Sequence, residues 1–276
     1  MSRRQRRIRR RRGQAAGILM LIAAGLIVLT GLRTHLPGRE DFSARSVSQP
    51  TATPVTSAFD ETVVSRQVSL PADVWYAIQT GVYSSQEAAL SRTDLYAERG
   101  APGYAAEDGG KWRVFIACYG SRTDASAVRE RLSTLQKVDT HLHEWLLPAV
   151  TLQLSGMAGQ LDVAEAGLTL PSQTAALLRE SAVALDAGES SMSSIRDSLA
   201  SMDDSVTLWA KTARERFLPP RPVMVEQILS CTDRWTEQYR ALRSAEAATA
   251  LSAALKIHAM TCRSADSAIR AALLAE

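Results

Sequence analysis

The tightest constraint on this 276-residue chain is an internal repeat, offset by 36 positions from residue 76 to residue 112. Tyr76 aligns with Trp112, Ile78 with Val114, Thr80 with Ile116, Gly81 with Ala117, Tyr83 with Tyr119, Ser85 with Ser121 and Ala89 with Ala125. Each half starts with β-branched and aromatic residues, passes a serine-containing turn and enters an alanine-bearing amphipathic stretch. That order predicts a strand followed by a helix. Residues 74–83 read as the first strand, with Ser85 as the cap of a helix over 88–99 that stops at Gly100. A short strand over 103–107 meets the turn Asp108-Gly109-Gly110, and 111–119 is the second clear strand. A helix then runs to about Leu135, and 141–146 forms the last strand. The order βαββαβ predicts an α+β sandwich. Two helices cover one face of a four-stranded sheet, whose first and third strands are neighbours in the centre.

Charge sets the topology. The chain has 32 Lys+Arg against 29 Asp+Glu. Arg3, Arg4, Arg6, Arg7, Arg9, Arg10, Arg11 and Arg12 form one cluster, and no acid precedes Glu40. Everything after the cluster is mildly acidic. A nucleic-acid-binding body carries its basic charge on the fold, so nucleic acid is excluded as a partner. Residues 15–32 are uncharged and long enough for roughly 27 Å of helix, against a bilayer core of about 30 Å. The arginines place the N-terminus in the cytoplasm and the rest of the chain outside. A cleaved signal peptide needs a shorter apolar core and an A-x-A-like site. Arg33-Thr34-His35-Leu36-Pro37 supplies no such site, so the segment is expected to be an uncleaved signal anchor. Residues 33–72 are rich in Ser, Thr, Ala and Pro and read as a flexible linker. Its root-mean-square reach is roughly 35 Å.

Three cysteines cannot all pair within the chain. Cys118 falls in a strand-like apolar run and reads as a small buried hydrophobe. Cys231 and Cys262 both fall on helical segments, which leaves a disulfide between them open. No Cys/His set has zinc spacing. His141-x-His143-Glu144 puts two imidazoles on one strand face but lacks a third ligand, so no metal is expected. Asp203-Asp204 are adjacent on a helix and do not face each other. No nucleophile elbow, P-loop, HExxH or dinucleotide fingerprint is present, so neither an enzyme nor a cofactor is expected.

Residues 148–276 are rich in Ala, Leu and Ser with helical spacing. Residues 172–217 form one long helix or two, with Gly188 as the break, and Pro219-Pro220-Arg221-Pro222 is a hard stop. Helices over 223–244 and 245–274 carry Val225, Ile228, Leu229, Trp235, Leu242, Leu251, Leu255 and Ile269 on their apolar stripes. A small bundle serving interaction or spacing is expected. The plan is a cytoplasmic tail over 1–14, an anchor over 15–32, a linker over 33–72, the α+β domain over 73–147 and the helical domain over 148–276.

Two motifs carry a resemblance. Tyr76-x-Ile78-Gln79-x-Gly81-x-Tyr83-Ser84 and Trp112-Arg113-Val114-x-Ile116-x-x-Tyr119-Gly120 are each followed by early helical alanines, Ala88-Ala89 and Ala125. Together, over residues 74–145, they resemble the SPOR domain of bacterial cell-envelope proteins. Ser85 stands where that family often has Asn, and Ala117 replaces the second-half Gly. The resemblance implies an RNP-like fold that binds peptidoglycan and favours glycan strands stripped of stem peptides. It points to a single-pass envelope protein acting in cell division, sporulation or wall remodelling. The alternative is a membrane-tethered adaptor whose helical domain binds a protein partner, the small domain being structural. RNA binding would need a Lys/Arg-Gly-aromatic strand motif that neither half has.

Strand alternation divides the faces. Ile78, Thr80 and Val82 with Val114, Ile116 and Cys118 are the more apolar set, expected beneath the helices. The opposite parity holds Ala77, Gln79, Gly81 and Tyr83 with Arg113, Phe115, Ala117 and Tyr119. Gln79, Tyr83, Arg113, Phe115 and Tyr119 are therefore the expected glycan-binding residues. Trp112 has core parity but lies at the strand start, within reach of the sheet edge, and joins them. Aromatic rings stack on the C–H face of a sugar, while the amide and guanidinium meet its polar rim.

Overall fold

The computed structural model describes residues 63–98 and 101–275. The arginine-rich tail, the apolar segment and most of the expected linker lie outside these residues. Among the described residues, no helix is long and apolar enough to cross a membrane.

The repeat folds as its pattern requires. Strand β2 (Asp73–Tyr83), helix α1 (Gln86–Ala97), strands β3 (Tyr104–Asp108) and β4 (Lys111–Tyr119), helix α2 (Arg122–Gln136) and strand β5 (His141–Leu147) follow in order. The sheet is antiparallel, in the order β3-β4-β2-β5, so the two long strands of the repeat are central neighbours. Ser85 and Ser121 cap the two helices, their hydroxyls accepting from the N–H groups of Ala88 and Asp124 at 3.3 Å. Each cap satisfies a donor that the first helical turn leaves free. Gly109 and Gly110 take φ of +60° and +71° in the β3–β4 turn, the hairpin geometry that non-glycine residues resist. Buried Ala89, Tyr96 and Ala125 hold α1 and α2 against one face of the sheet.

The expected linker boundary is too late. Residues 63–70 form strand β1 (Val63–Leu70), which pairs antiparallel with β6 (Val150–Met157) in a separate two-stranded ribbon. One side of the ribbon is buried, through Val68, Leu70 and Val150. The Ser- and Thr-rich composition masks this period-2 pattern, and the pairing partner is remote in sequence. β6 likewise stands at the head of the region expected to be wholly helical.

Four helices follow: α3 (Ala158–Asp186), α4 (Met192–Arg216), α5 (Val223–Ser244) and α6 (Ala248–Ala275). Helix α3 begins well before Ser172 and runs through Pro171. A proline removes one helical hydrogen bond, and here Pro171 is among the buried residues of the helix. Gly188, at φ +69°, lies in the break between α3 and α4, as expected. The bundle core is continuous with the sheet. Trp75, Ala77, Phe115 and Cys118 belong to one buried cluster with Leu168, Leu178, Ala259 and Met260. Helices α3 and α6 therefore lie against the face opposite α1 and α2, a covering that strand alternation within the repeat does not reveal.

Candidate functional site

Two register shifts decide which side chains share a face. Along β2 and β4, Ile78 pairs with Ala117, Gln79 with Phe115 and Gly81 with Val114. Ile116 and then Thr80 are left out of the ladder, one extra residue on each strand. Each bulge reverses the alternation beyond it. The outer face, turned away from α1 and α2, carries Trp75, Ala77, Gln79 and Val82 of β2 with Arg113, Phe115 and Cys118 of β4. The inner face carries Tyr76, Ile78, Gly81 and Tyr83 with Trp112, Val114, Ala117 and Tyr119.

The expected site therefore splits. Gln79, Arg113 and Phe115 stand together on the outer face. Tyr83 and Trp112 are ladder partners on the inner face, packed with Val114, Ile116 and Ala89 of α1. Both are partly buried against that cluster, and Tyr83 closes over Gly81, where a side chain would collide with its ring. Tyr119 pairs with Tyr76 on the inner side, and burial pushes its hydroxyl pKa up. Val82 and Cys118, expected beneath the helices, turn outward instead. Tyr83 and Tyr119 are turned inward by the bulges, which strict alternation cannot show, whereas Trp112 keeps the core parity read for it and packs with Val114 and not at the sheet edge.

Around Gln79 the outer face is polar. Arg113 donates to Gln79 Oε1 at 2.9 Å and to Asp108 Oδ2 at 2.6 Å. His143 Nε2 lies 3.7 Å from the same carboxylate oxygen and its ring 5.4 Å from that of Phe115. Burial, and then the charge of Arg113, lower the His143 pKa. Arg113 and Asp108 form the close ion pair of this patch. Arg113 and Asp108 keep part of their surface open, whereas Gln79 is buried.

Beside it runs an aromatic row. Phe115 stacks on Trp145 at 5.6 Å, and Trp145 on Tyr104 at 6.5 Å. Trp75 is the ladder partner of Trp145. Three of these rings, Trp75, Tyr104 and Trp145, are absent from the expected site. Trp75 was legible: it has the parity of Ala77 and Gln79, two positions further upstream. The row lies under the helices. Trp75 and Phe115 are each 1% exposed. Arg179 of α3 and Arg263 of α6 cover the Trp75 ring at 4.5 and 4.8 Å from its centre. Arg263 Nη2 donates to the carbonyls of Asp73 at 2.8 Å and Trp145 at 2.7 Å, and its Nη1 pairs with the Asp73 carboxylate. Arg270 Nη1 donates to the carbonyls of Pro71 and Pro148 at 2.6 and 2.8 Å. Tyr104 donates to Ser264 Oγ at 2.7 Å.

No group of three or more His, Cys, Asp or Glu side chains is placed to hold a metal ion among the described residues. The outer face combines rings and hydrogen-bonding groups, the means of recognising a carbohydrate, but only its Arg113–Asp108 end is open to solvent.

The family model described as SPOR domain matches residues 67–140, from within β1 to the edge of β5. No curated protein and no solved structure matches the chain. SPOR domains are binding modules, and their presence implies peptidoglycan binding, generally in cell division. The match contains the repeat and the elements from β2 to α2, and over residues 67–140 this chain carries a SPOR domain.

Proposed function

We propose that this chain is a single-pass cell-envelope protein that binds stem-peptide-poor glycan strands of peptidoglycan through the outer face of its SPOR sheet. The family match over the sheet carries the reading. Gln79, Arg113 and Asp108 meet the hydroxyl and N-acetyl rim of the sugars, and Phe115 with its neighbouring rings meets their C–H faces. Arg3–Arg12 and the apolar residues 15–32 support a membrane anchor with the folded part outside. The process served is division, sporulation or wall remodelling.

Co-sedimentation of the purified full chain with wall sacculi tests this. Binding should be saturable and should rise when an amidase strips the stem peptides, and Gln79→Ala should weaken it. Absence of binding to stripped sacculi, by the native chain and by a variant with the outer face uncovered, overturns the reading.

One observation favours a second reading. The outer face is occupied by α3 and α6, as it would be if the SPOR sheet were a platform for the bundle. The protein would then be a membrane-tethered adaptor whose helices hold a protein partner, and stripping the sacculi would change nothing.

A further inference from the structure

The covering of the outer face carries a polar seam beside its apolar core. Most buried polar atoms in a folded protein find a hydrogen-bond partner. Beside the apolar contact that Ala259 and Met260 of α6 and Leu168 and Leu178 of α3 make with the sheet, α6 also meets it through Arg263, Ser264 and Arg270, and α3 reaches Trp75 through Arg179. Three polar atoms at and beside the seam, Trp75 Nε1, Arg263 Nε and Asp266 Oδ2, are buried without a hydrogen-bond partner. Each has lost its hydration without replacement, and separation would restore it. Beneath lies the row of Tyr104, Phe115 and Trp145, whose successive rings are inclined by 25° and 22°. The Trp75 indole N–H is a buried donor without a partner beside this surface.

We propose that α6, supported by α3, is a separable latch over the aromatic half of the SPOR face, and that a glycan strand competes with α6 for it. The proposal rests on the glycan-binding reading above and adds its regulation. The Arg113–Asp108 end of the face stays partly open and gives a strand its first foothold. Advance along the row requires the guanidinium of Arg263 to leave the carbonyls of Asp73 and Trp145, and Tyr104 to release Ser264. Water and sugar hydroxyls replace these polar bonds more readily than they replace an aliphatic seam. A ligand that binds only the uncovered face shifts the chain towards it by its differential affinity.

The test compares the full-length native chain with Arg263→Ala for binding to amidase-stripped sacculi, with circular dichroism confirming that helix content is kept. The latch predicts at least tenfold tighter binding by Arg263→Ala. Equal binding overturns the latch and leaves the glycan reading intact. Weaker binding also overturns it, since α6 would then be part of the site. No binding by either chain overturns the glycan reading and the latch with it. If Arg263→Ala does not fold, hydrogen exchange of the native chain decides. Soluble amidase-stripped glycan should speed exchange over residues 259–270 while slowing it in β2 and β4. Unchanged or slowed exchange over 259–270 overturns the proposal.

Discussion

The guanidinium of Arg263 lies 4.8 Å from the ring centre of Trp75 and reaches past it to the main-chain carbonyl of Asp73. One side chain of the last helix thus bonds to the first residue of the central strand β2. Sheet and bundle share a buried cluster through such contacts. A calorimetric scan of the chain should therefore show one cooperative transition with equal calorimetric and van't Hoff enthalpies. Two separated transitions would contradict a shared core. Opening of the latch is a minor excursion of the folded chain, not a second transition.

Gly167→Ala should destabilise the bundle. An added methyl at residue 167 would collide with the indole of Trp209. That ring is held by a 2.8 Å bond from its Nε1 to the carbonyl of Val163 and cannot swing aside cheaply. Overpacking costs about 1–3 kcal/mol and exceeds the gain of up to about 1 kcal/mol from better helix propensity. Urea unfolding of the variant should show a lower midpoint at unchanged slope.

His258, on α6, has its pKa lowered to about 4 by burial. The unfolded chain binds that proton near pH 6.5, the folded chain only near 4. Its stabilising contribution is complete above about pH 6.5 and is lost progressively as the pH falls towards 4. Solvent access keeps the effect on the order of 1 kcal/mol. Melting temperatures measured from pH 7 to 4 should fall less steeply for His258→Gln than for the native chain.

The thiols should be inert in the folded chain. Burial pushes Cys118 and Cys262 up to about 12 and raises Cys231 as well. The thiolate is the reactive form. Maleimide labelling followed by mass measurement at pH 7.5 should modify Cys118 and Cys262 only after denaturant is added.

Phe115→Ala should now read as a core truncation costing about 3–5 kcal/mol, because Phe115 is buried under the helices. Gln79→Ala removes one acceptor of Arg113, whose other partner Asp108 remains, and should leave the melting temperature within a few degrees. Thermal melts of both variants separate a covered face from a bare one.

The sequence makes local matters legible. Repetition of aromatic, β-branched and serine positions fixes the βαββαβ order, both serine caps and the glycine turn, because each rests on residues within a few positions. Gln79, Arg113 and Phe115 are placed together correctly by parity alone. Tyr83 and Tyr119 are misplaced because the bulges at Ile116 and Thr80 carry no distinctive residue, neither being a glycine, while Trp112 follows its core parity and does not reach the sheet edge. β1 is hidden because its partner is β6, on the far side of the domain. The covering of Trp75 and Phe115 is hidden for the same reason: Arg179 and Arg263 meet the sheet only in three dimensions.

The β1–β6 ribbon also sets an order of events. Leu70 pairs with Val150, and Asp73 with Leu147, so the ribbon begins immediately beyond the edge of the SPOR sheet. In the unfolded chain these partners are far apart, and bringing them together is entropically costly. Once β2 and β5 are incorporated in the sheet, the intervening domain acts as a short turn, and the ribbon can zip outward from Leu70 towards Val63. The sheet should therefore gain protection first in pulse-labelling of refolding, the ribbon second and α3 after it. The ribosome emits β1 long before β6 and α6 exist, so a nascent chain would present its aromatic row uncovered until the last helix emerges.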